Sequence, residues 1–130
     1  VEAMNGAGAK EDLGRVLKWL IGLPPATGSL AASFGIALLS NVMNNLPSGL
    51  LTGGAVQAVR VPDHLHHALL IGVDLGPNLS VTGSLATILW LVALRREGEQ
   101  VSAWQFLKVG VLVMPPALLL STLALAFLTK

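Results

Sequence analysis

The sequence predicts an all-α membrane fold that contains a re-entrant helical hairpin, a discontinuous transmembrane helix and a final transmembrane helix. Three observations lead to this prediction. Only 12% of the 130 residues are charged, about half the share in soluble domains. No charge occurs in residues 28–59 or 109–129, and Asp74 is the only one in residues 65–94. Polar residues, prolines and glycines interrupt the first and the Asp74-containing stretch near their middle.

Residues 1–25 are predicted to form a connector with a short amphipathic interfacial helix. Apolar and basic residues alternate there at helical spacing, and Trp19 is placed to anchor the helix at the membrane surface. A surface helix packed on neighbouring protein is the alternative. Pro24 and Pro25 end the helix. The chain begins at Val1 without a signal peptide pattern, which indicates a fragment of a longer protein.

Residues 26–60 are predicted to form the re-entrant hairpin, with its tip at residues 44–47. The uncharged part would be about 48 Å long as one straight helix, against a hydrocarbon core of about 30 Å. Pro47 suits the first turn of a second helix, with Asn44 or Asn45 as the cap before it. The two arms, about 24 Å and 18 Å long, are each too short to span the membrane. A single kinked span with a protruding end is the alternative.

Residues 64–95 are predicted to form the discontinuous transmembrane helix, with its break at residues 74–78. Asp74 lies nine residues beyond Leu65, about 14 Å along a helix, and therefore near the middle of the membrane. Both arms of this helix are apolar, so the break stands out as the polar part of the segment.

Residues 96–103 are predicted to be a loop in water, and residues 104–130 the last transmembrane helix. This helix would be about 39 Å long, enough to cross the membrane with tilt, and Pro115 and Pro116 are predicted to kink it. The basic residues that flank the loop favour a cytoplasmic position for it, although the basic residues of the connector would then lie outside.

Both breaks carry the groups that a solute pathway needs. Non-helical backbone in lipid survives only inside protein or against a wet cavity, and transporters bind solutes and ions at such breaks. An Asp at this depth costs about 2.5–3.5 kcal/mol to insert, so Asp74 is the candidate proton or cation carrier. Alternatively, it caps the break or pairs with a basic residue elsewhere.

The candidate substrate-binding residues are Asn41, Asn44, Asn45, Asn78, Ser80, Thr82 and Ser84. Helix capping is the alternative role for the asparagines. Pro47, Gly76 and Pro77 are predicted to shape the helix breaks. A series of small residues every four positions predicts close helix contact; its members are Gly72, Gly76, Ser80 and Ser84.

Other classes of function are disfavoured. The absence of cysteine excludes disulfides, iron–sulfur clusters and thiolate metal sites within these residues. The group Asp63, His64, His66 and His67 matches no metal-binding spacing, so we expect neither metal nor cofactor. No catalytic triad order, phosphate loop or metalloprotease signature occurs, and an enzyme is therefore disfavoured. The basic residues neither form a stripe nor alternate with aromatic residues, which argues against nucleic-acid binding.

Three segments taken together resemble the C-terminal portion of ArsB, the arsenite efflux permease family of the ion transporter superfamily. They are residues 40–47, 72–78 and 82–87. The resemblance extends from about residue 28 to the end of the chain. It implies an inverted repeat in which each half holds one hairpin and one broken helix, with this chain forming most of the second half. Asn78 departs from the family pattern, where a lysine is expected.

The resemblance also implies a function: export of arsenite or antimonite in exchange for protons, by a multi-pass protein of the prokaryotic cytoplasmic (inner) membrane. Arsenite near neutral pH is mostly an uncharged trihydroxide, which suits amides, hydroxyls and one carboxylate. The same groups suit sodium or organic anions, so the alternative is a sodium/proton antiporter or a dicarboxylate or anion transporter of the same superfamily. A non-transporting membrane anchor is a third interpretation. The implied partners are the lipid bilayer, the N-terminal part of the transporter, a soluble arsenite-transport ATPase and a second copy in a homodimer.

Overall fold

The computed structural model describes residues 8–128, and these residues fold entirely into helices, turns and loops. The helices are α1 (Ala9–Ile21), α2 (Pro25–Met43), α3 (Asn45–Val59), α4 (Asp63–Leu75), α5 (Leu85–Arg96) and α6 (Ala103–Leu128). Two 3₁₀ turns, Gly76–Leu79 and Val81–Gly83, lie between α4 and α5. The predicted all-α class is confirmed. The first seven residues of the predicted connector and the last two of the final helix lie outside the described residues.

Helices α2 and α3 form an antiparallel hairpin that reverses at Asn44. The hydroxyls of Ser40 on α2 and Ser48 on α3 face each other across the turn, with 2.8 Å between the two Oγ atoms. At the other end of α2, Ser29 Oγ donates to the carbonyl of His64 at the start of α4, at 3.4 Å. Both ends of the hairpin therefore lie at the same end of the helix bundle.

The first arm of this hairpin is longer than the sequence suggested. Pro25 is the first residue of α2, a position that suits proline because the N–H it lacks would have no helical partner. With 19 residues, α2 is about 28 Å long, close to the thickness of the hydrocarbon core. The prediction that neither arm could span was thus wrong for α2. The second arm, α3, has 15 residues and is about 22 Å long.

Within the described residues, α2 and α6 are long and apolar enough to cross a membrane, judged by length and composition. The most apolar window of α6 has a mean hydropathy of 2.2, yet only 17% of it is buried. An apolar core helix of a soluble protein would be mostly covered, so the outward apolar surface of α6 is typical of a helix in lipid. The helix continues through Pro115 and Pro116.

The contacts of α6 show where the hairpin turn and the 3₁₀ turns lie along the length of the helix bundle. Thr122 Oγ1 donates to Ser33 Oγ of α2 at 3.0 Å, and Gly110 packs against the backbone of Leu79. Leu79 lies near Asn41, at the C-terminal end of α2, so these contacts place α6 antiparallel to α2. Because α6 begins seven residues before Gly110, it extends about 10 Å beyond the 3₁₀ turns. The helix interruptions therefore lie within the length of α6 and not at its end.

Helix α1 packs against the hairpin. Leu17 is fully buried in the core, and a methyl group added at Gly14 would contact Val59 at 3.5 Å. The side chain of Lys10 lies over Gly54, with 3.3 Å from Cε to an added methyl carbon. Helix α1 therefore runs alongside the second half of α3 in the same direction. These contacts favour the packed surface helix that the sequence left as an alternative to an interfacial one.

Candidate functional site

The hairpin turn is formed by a single residue, Asn44. Its backbone has φ 76° and ψ 153°, a region that residues other than glycine rarely adopt. The side chain compensates by capping, because Oδ1 accepts from Leu46 N at 3.4 Å and Nδ2 donates to the carbonyl of Thr82 at 3.3 Å. The carbonyl of Asn44 accepts from Ser48 N at 3.3 Å and from Ser48 Oγ at 2.9 Å. Asn44 is therefore the cap that the sequence placed at Asn44 or Asn45.

Buried hydroxyl groups on α2 and α3 form hydrogen bonds next to the turn. Ser40 and Ser48 are both fully buried, and Thr52 Oγ1 donates to the carbonyl of Ser48 at 2.6 Å. Asn45 is the first residue of α3, and its carbonyl accepts from Ser48 Oγ at 3.0 Å. Pro47 is the third residue of α3, where the first N–H groups of a helix have no intrahelical partner. Proline therefore fits this first turn at no hydrogen-bond cost.

The second interruption is longer than the predicted break at residues 74–78. Helix α4 continues to Leu75, and regular helix resumes only at Leu85. Pro77 lacks the N–H that would extend α4. Asn78 caps the helix end, because its Nδ2 donates to the carbonyls of Leu75 at 3.1 Å and Asp74 at 3.4 Å. We refer to residues 76–84 as the break.

Asn41 joins the hairpin to the break. Its Nδ2 donates to the carbonyl of Gly76 at 2.7 Å and to that of Ala37 at 2.8 Å. Its Oδ1 accepts from Ser80 Oγ at 2.7 Å, and its backbone carbonyl accepts from Thr82 Oγ1 at 3.1 Å. Together with the Asn44–Thr82 bond, these contacts make one continuous network. We call Asn41, Asn44, Ser80 and Thr82 the polar junction.

The series of small residues has two different roles. Gly72 and Gly76 contact α2 so closely that a methyl group at either would overlap its backbone, as expected for close helix packing. Ser80 and Ser84 lie beyond the end of α4 in extended conformation. Ser84 is buried and caps α5, because its Oγ accepts from Ala86 N at 3.2 Å. The predicted helix contact thus applies to the glycines only.

Asp74 lies in the last turn of α4 with its side chain exposed. Within the described residues its carboxylate has neither a hydrogen bond nor an ion pair, and the one ion pair present joins Arg15 to Asp12 in α1. The carbonyls at the end of α4 are bound by Asn78, which is also exposed. The alternative role of Asp74 as the cap of the break is therefore not what the structure shows.

Sequence comparisons identify the family to which the chain belongs. The sequence profile of the ArsB family, described as arsenical pump membrane protein, matches residues 2–128. The chain belongs to this arsenical pump family. An arsenical pump membrane protein of Yersinia enterocolitica is 35% identical over 97% of this chain and 30% of its own length. The arsenical pump membrane protein of Escherichia coli K12 is 32% identical over the same shares.

A more distant relative is an uncharacterized transporter of Mycobacterium tuberculosis, 28% identical over 96% of this chain and 31% of its own length. The chain thus spans about 30% of the length of the curated arsenical pump proteins it matches. No solved structure matches it significantly.

In this member of the arsenical pump family, four helix ends meet around the polar junction. The C-terminal ends of α2 and α4 carry partial negative charge, and the N-terminal ends of α3 and α5 carry partial positive charge. Amides and hydroxyls lie between these ends, and Thr82 is exposed among them. Such a set of donors and acceptors suits a small polar solute without a large net charge.

Some contacts of this arsenical pump chain were not foreseen from its sequence. Ser33 and Thr122 form a buried hydrogen bond between α2 and α6. Gly83 and Gly110 allow backbone to pack on backbone in the break, against Pro77 and Leu79 respectively. The sequence signal that could have predicted the Ser33–Thr122 contact is the presence of serines on an otherwise apolar, uncharged helix. The contact of Gly110 joins residues 31 positions apart, and that of Gly83 lies inside an irregular segment, so neither leaves a periodic pattern in the sequence.

Proposed function

We propose that this chain is part of a secondary transporter that exports arsenite or antimonite in exchange for protons, as a multi-pass protein of the bacterial cytoplasmic (inner) membrane. Membership of the arsenical pump family supports the substrate class. The observation that carries the site is the polar junction, in which Asn41 bonds both Gly76 and Ser80 of the break. Polar contacts between two interrupted helices are typical of solute sites in transporters.

The polar junction is the proposed place for the arsenite trihydroxide. Three hydroxyls on the solute require both donors and acceptors, which amides, hydroxyls and freed helix-end carbonyls supply. Thr82 and Asn44 lie at the accessible edge, because Thr82 is exposed and Asn44 half-buried. Asn45, Asn78 and Ser84 remain proposed as further substrate ligands.

Asp74 is the proposed proton carrier. Ionisable residues at this depth almost always face a bundle interior or a water-filled cavity, because their insertion into lipid is costly. The exposed carboxylate one residue before the end of α4 therefore belongs on a face that protein or water covers in the complete transporter. Binding of a proton there neutralises the carboxylate before the transporter switches the site from one side of the membrane to the other.

The proposed site requires the rest of the transporter. The curated relatives are about three times as long as this chain, and the site of a transporter built from repeats lies between its halves. The N-terminal part should therefore hold a second hairpin and a second broken helix. A soluble arsenite-transport ATPase and a second copy of the transporter are further candidate partners.

Arsenite uptake into everted vesicles that contain the full-length transporter tests this function. We expect that Asp74→Asn abolishes uptake driven by a proton gradient, because the amide cannot carry the proton. Asp12→Asn is the matched control, since this exposed carboxylate on α1 lies outside the site. If both variants transport arsenite like the parent protein, or if sodium drives the uptake instead of protons, the proposal is wrong.

A further inference from the structure

One face of α4 remains uncovered within the described residues, and Asp74 shares it with two residues near the start of the helix. At about 100° per residue, His67 lies within about 20° of Asp74 around the helix, two turns earlier and about 10 Å away. Asp63 lies one further turn toward the end of the bundle, again within about 20° of this line. All three side chains are exposed.

The other two histidines point to either side of this line. By the same helical geometry, His64 and His66 are each about 80° away from Asp74, in opposite directions. The rings of His66 and His67 are stacked, with centroids 6.1 Å apart and planes 5° apart. His66 lines a cleft of about 220 Å³ between α3 and α4. His67 therefore is the imidazole aligned with Asp74.

His67 opens into a cleft of about 790 Å³ at the end of the bundle. The ionisable side chains that line this cleft with His67 are Asp63 and His64, both on α4. The described residues that α2 and α6 contribute to it, such as Ser29 and Leu123, carry no ionisable group. The smaller cleft beside His66 contains no ionisable group besides His66 among its described residues.

We propose that His67 is the group through which protons pass between bulk water and Asp74, an inference that rests on the proposed role of Asp74. Imidazole exchanges protons with water near neutral pH more readily than any other side chain. Leu70, half-exposed, lies between the two residues, so the proton crosses the gap through water on the uncovered face. In the transfer the imidazolium becomes neutral imidazole and the carboxylate becomes a carboxylic acid.

The variant His67→Gln in the full-length transporter tests this proposal, with His64→Gln and His66→Gln as matched controls. In everted vesicles we expect His67→Gln to slow proton-driven arsenite uptake several-fold above about pH 7, where protons are scarce, with much less effect below about pH 6. The KM for arsenite should not change, because His67 lies far from the polar junction. Both controls should follow the pH profile of the parent protein.

Added imidazole separates proton transfer from a structural role. Free imidazole should restore the rate of His67→Gln above about pH 7 and leave Asp74→Asn inactive. The inference is wrong if His67→Gln has the pH profile of the two controls, or if imidazole does not restore its rate. An active, proton-coupled Asp74→Asn variant would instead overturn the proposed function, on which the role of His67 depends.

Discussion

The hairpin turn and the break interrupt helices in the same apolar bundle, but they are stabilised differently. The turn is one residue, Asn44, and several of its hydrogen bonds come from its own side chain and from the nearby Ser48. The break extends from Gly76 to Ser84, and its contacts come largely from elsewhere in the chain. Asn41 binds it from α2, and Gly110 packs against it from α6.

Because of this difference, the two regions should respond to substitutions at different positions. A turn that is stabilised by neighbouring residues should respond mainly to changes at the turn itself. A break that depends on residues more than 30 positions away should respond to substitutions on the surrounding helices. The break contains Ser80 and Thr82 of the polar junction and begins two residues after Asp74, so its geometry should control the site more strongly.

The largest effect is expected from Gly76→Ala. The added methyl group would overlap the backbone of Ala37, and overpacking of this kind costs about 3 kcal/mol. Thermal denaturation of the purified full-length transporter should show a lower midpoint and a loss of transport. Gly53→Ala is the matched control, because nothing lies within 4 Å of its added methyl group. It should stabilise α3 by about 0.5–1 kcal/mol, and equal effects of the two substitutions would contradict the close packing of the break.

A smaller effect is expected from Asn41→Ala, which removes the bonds to Gly76 and Ser80. Leaving these partners without a bond costs about 1–3 kcal/mol, and arsenite transport should fall sharply because the break is no longer tied to the hairpin. Val42→Ala is the control on the next residue, whose side chain is 84% exposed. Melting temperature and transport rate should separate the two variants; if they do not, Asn41 does not stabilise the break.

The smallest effect is expected at the turn. Asn44→Ala loses the capping bonds and keeps an unfavourable backbone conformation, whereas Asn44→Gly loses the bonds but adopts this conformation freely. The glycine variant should therefore be more stable than the alanine variant by about 1 kcal/mol. Asn45 is the first residue of α3 and is not among the residues with positive φ, so the order should reverse there because glycine loses more backbone freedom than alanine on folding. Melting midpoints of the four variants check this, and the same order at both positions would argue against strain at Asn44.

The positions of both interruptions could be predicted because proline, glycine and asparagine act locally. Asn44 as a cap and the end of α4 near Pro77 follow from hydrogen bonds that each residue can or cannot make. The start of α2 was missed because Pro25 was interpreted only as the end of the preceding helix. Proline also suits the first position of the next one.

The full length of the break could not be predicted from the sequence. Short 3₁₀ turns have no hydrophobic period, and Ser80 and Thr82 are positioned by hydrogen bonds to Asn41, about 40 residues earlier. The candidate residues Asn41, Asn44, Ser80 and Thr82 were identified from the sequence because polar side chains are rare in these apolar stretches. That they form one network with Asn41 at its centre depends on the way α2 packs on α4.

Equilibrium binding of radiolabelled arsenite to the purified full-length transporter tests the polar junction most directly. The double variant Ser80→Ala/Thr82→Ala removes two hydroxyls of the junction, worth about 1 kcal/mol each, and should raise the Kd at least about tenfold. Thr27→Ala/Ser121→Ala removes two hydroxyls outside the junction, one at the start of α2 and one beside Thr122 on α6, and should leave the Kd unchanged. Equal Kd values for the two double variants and the parent protein would contradict arsenite binding at the junction.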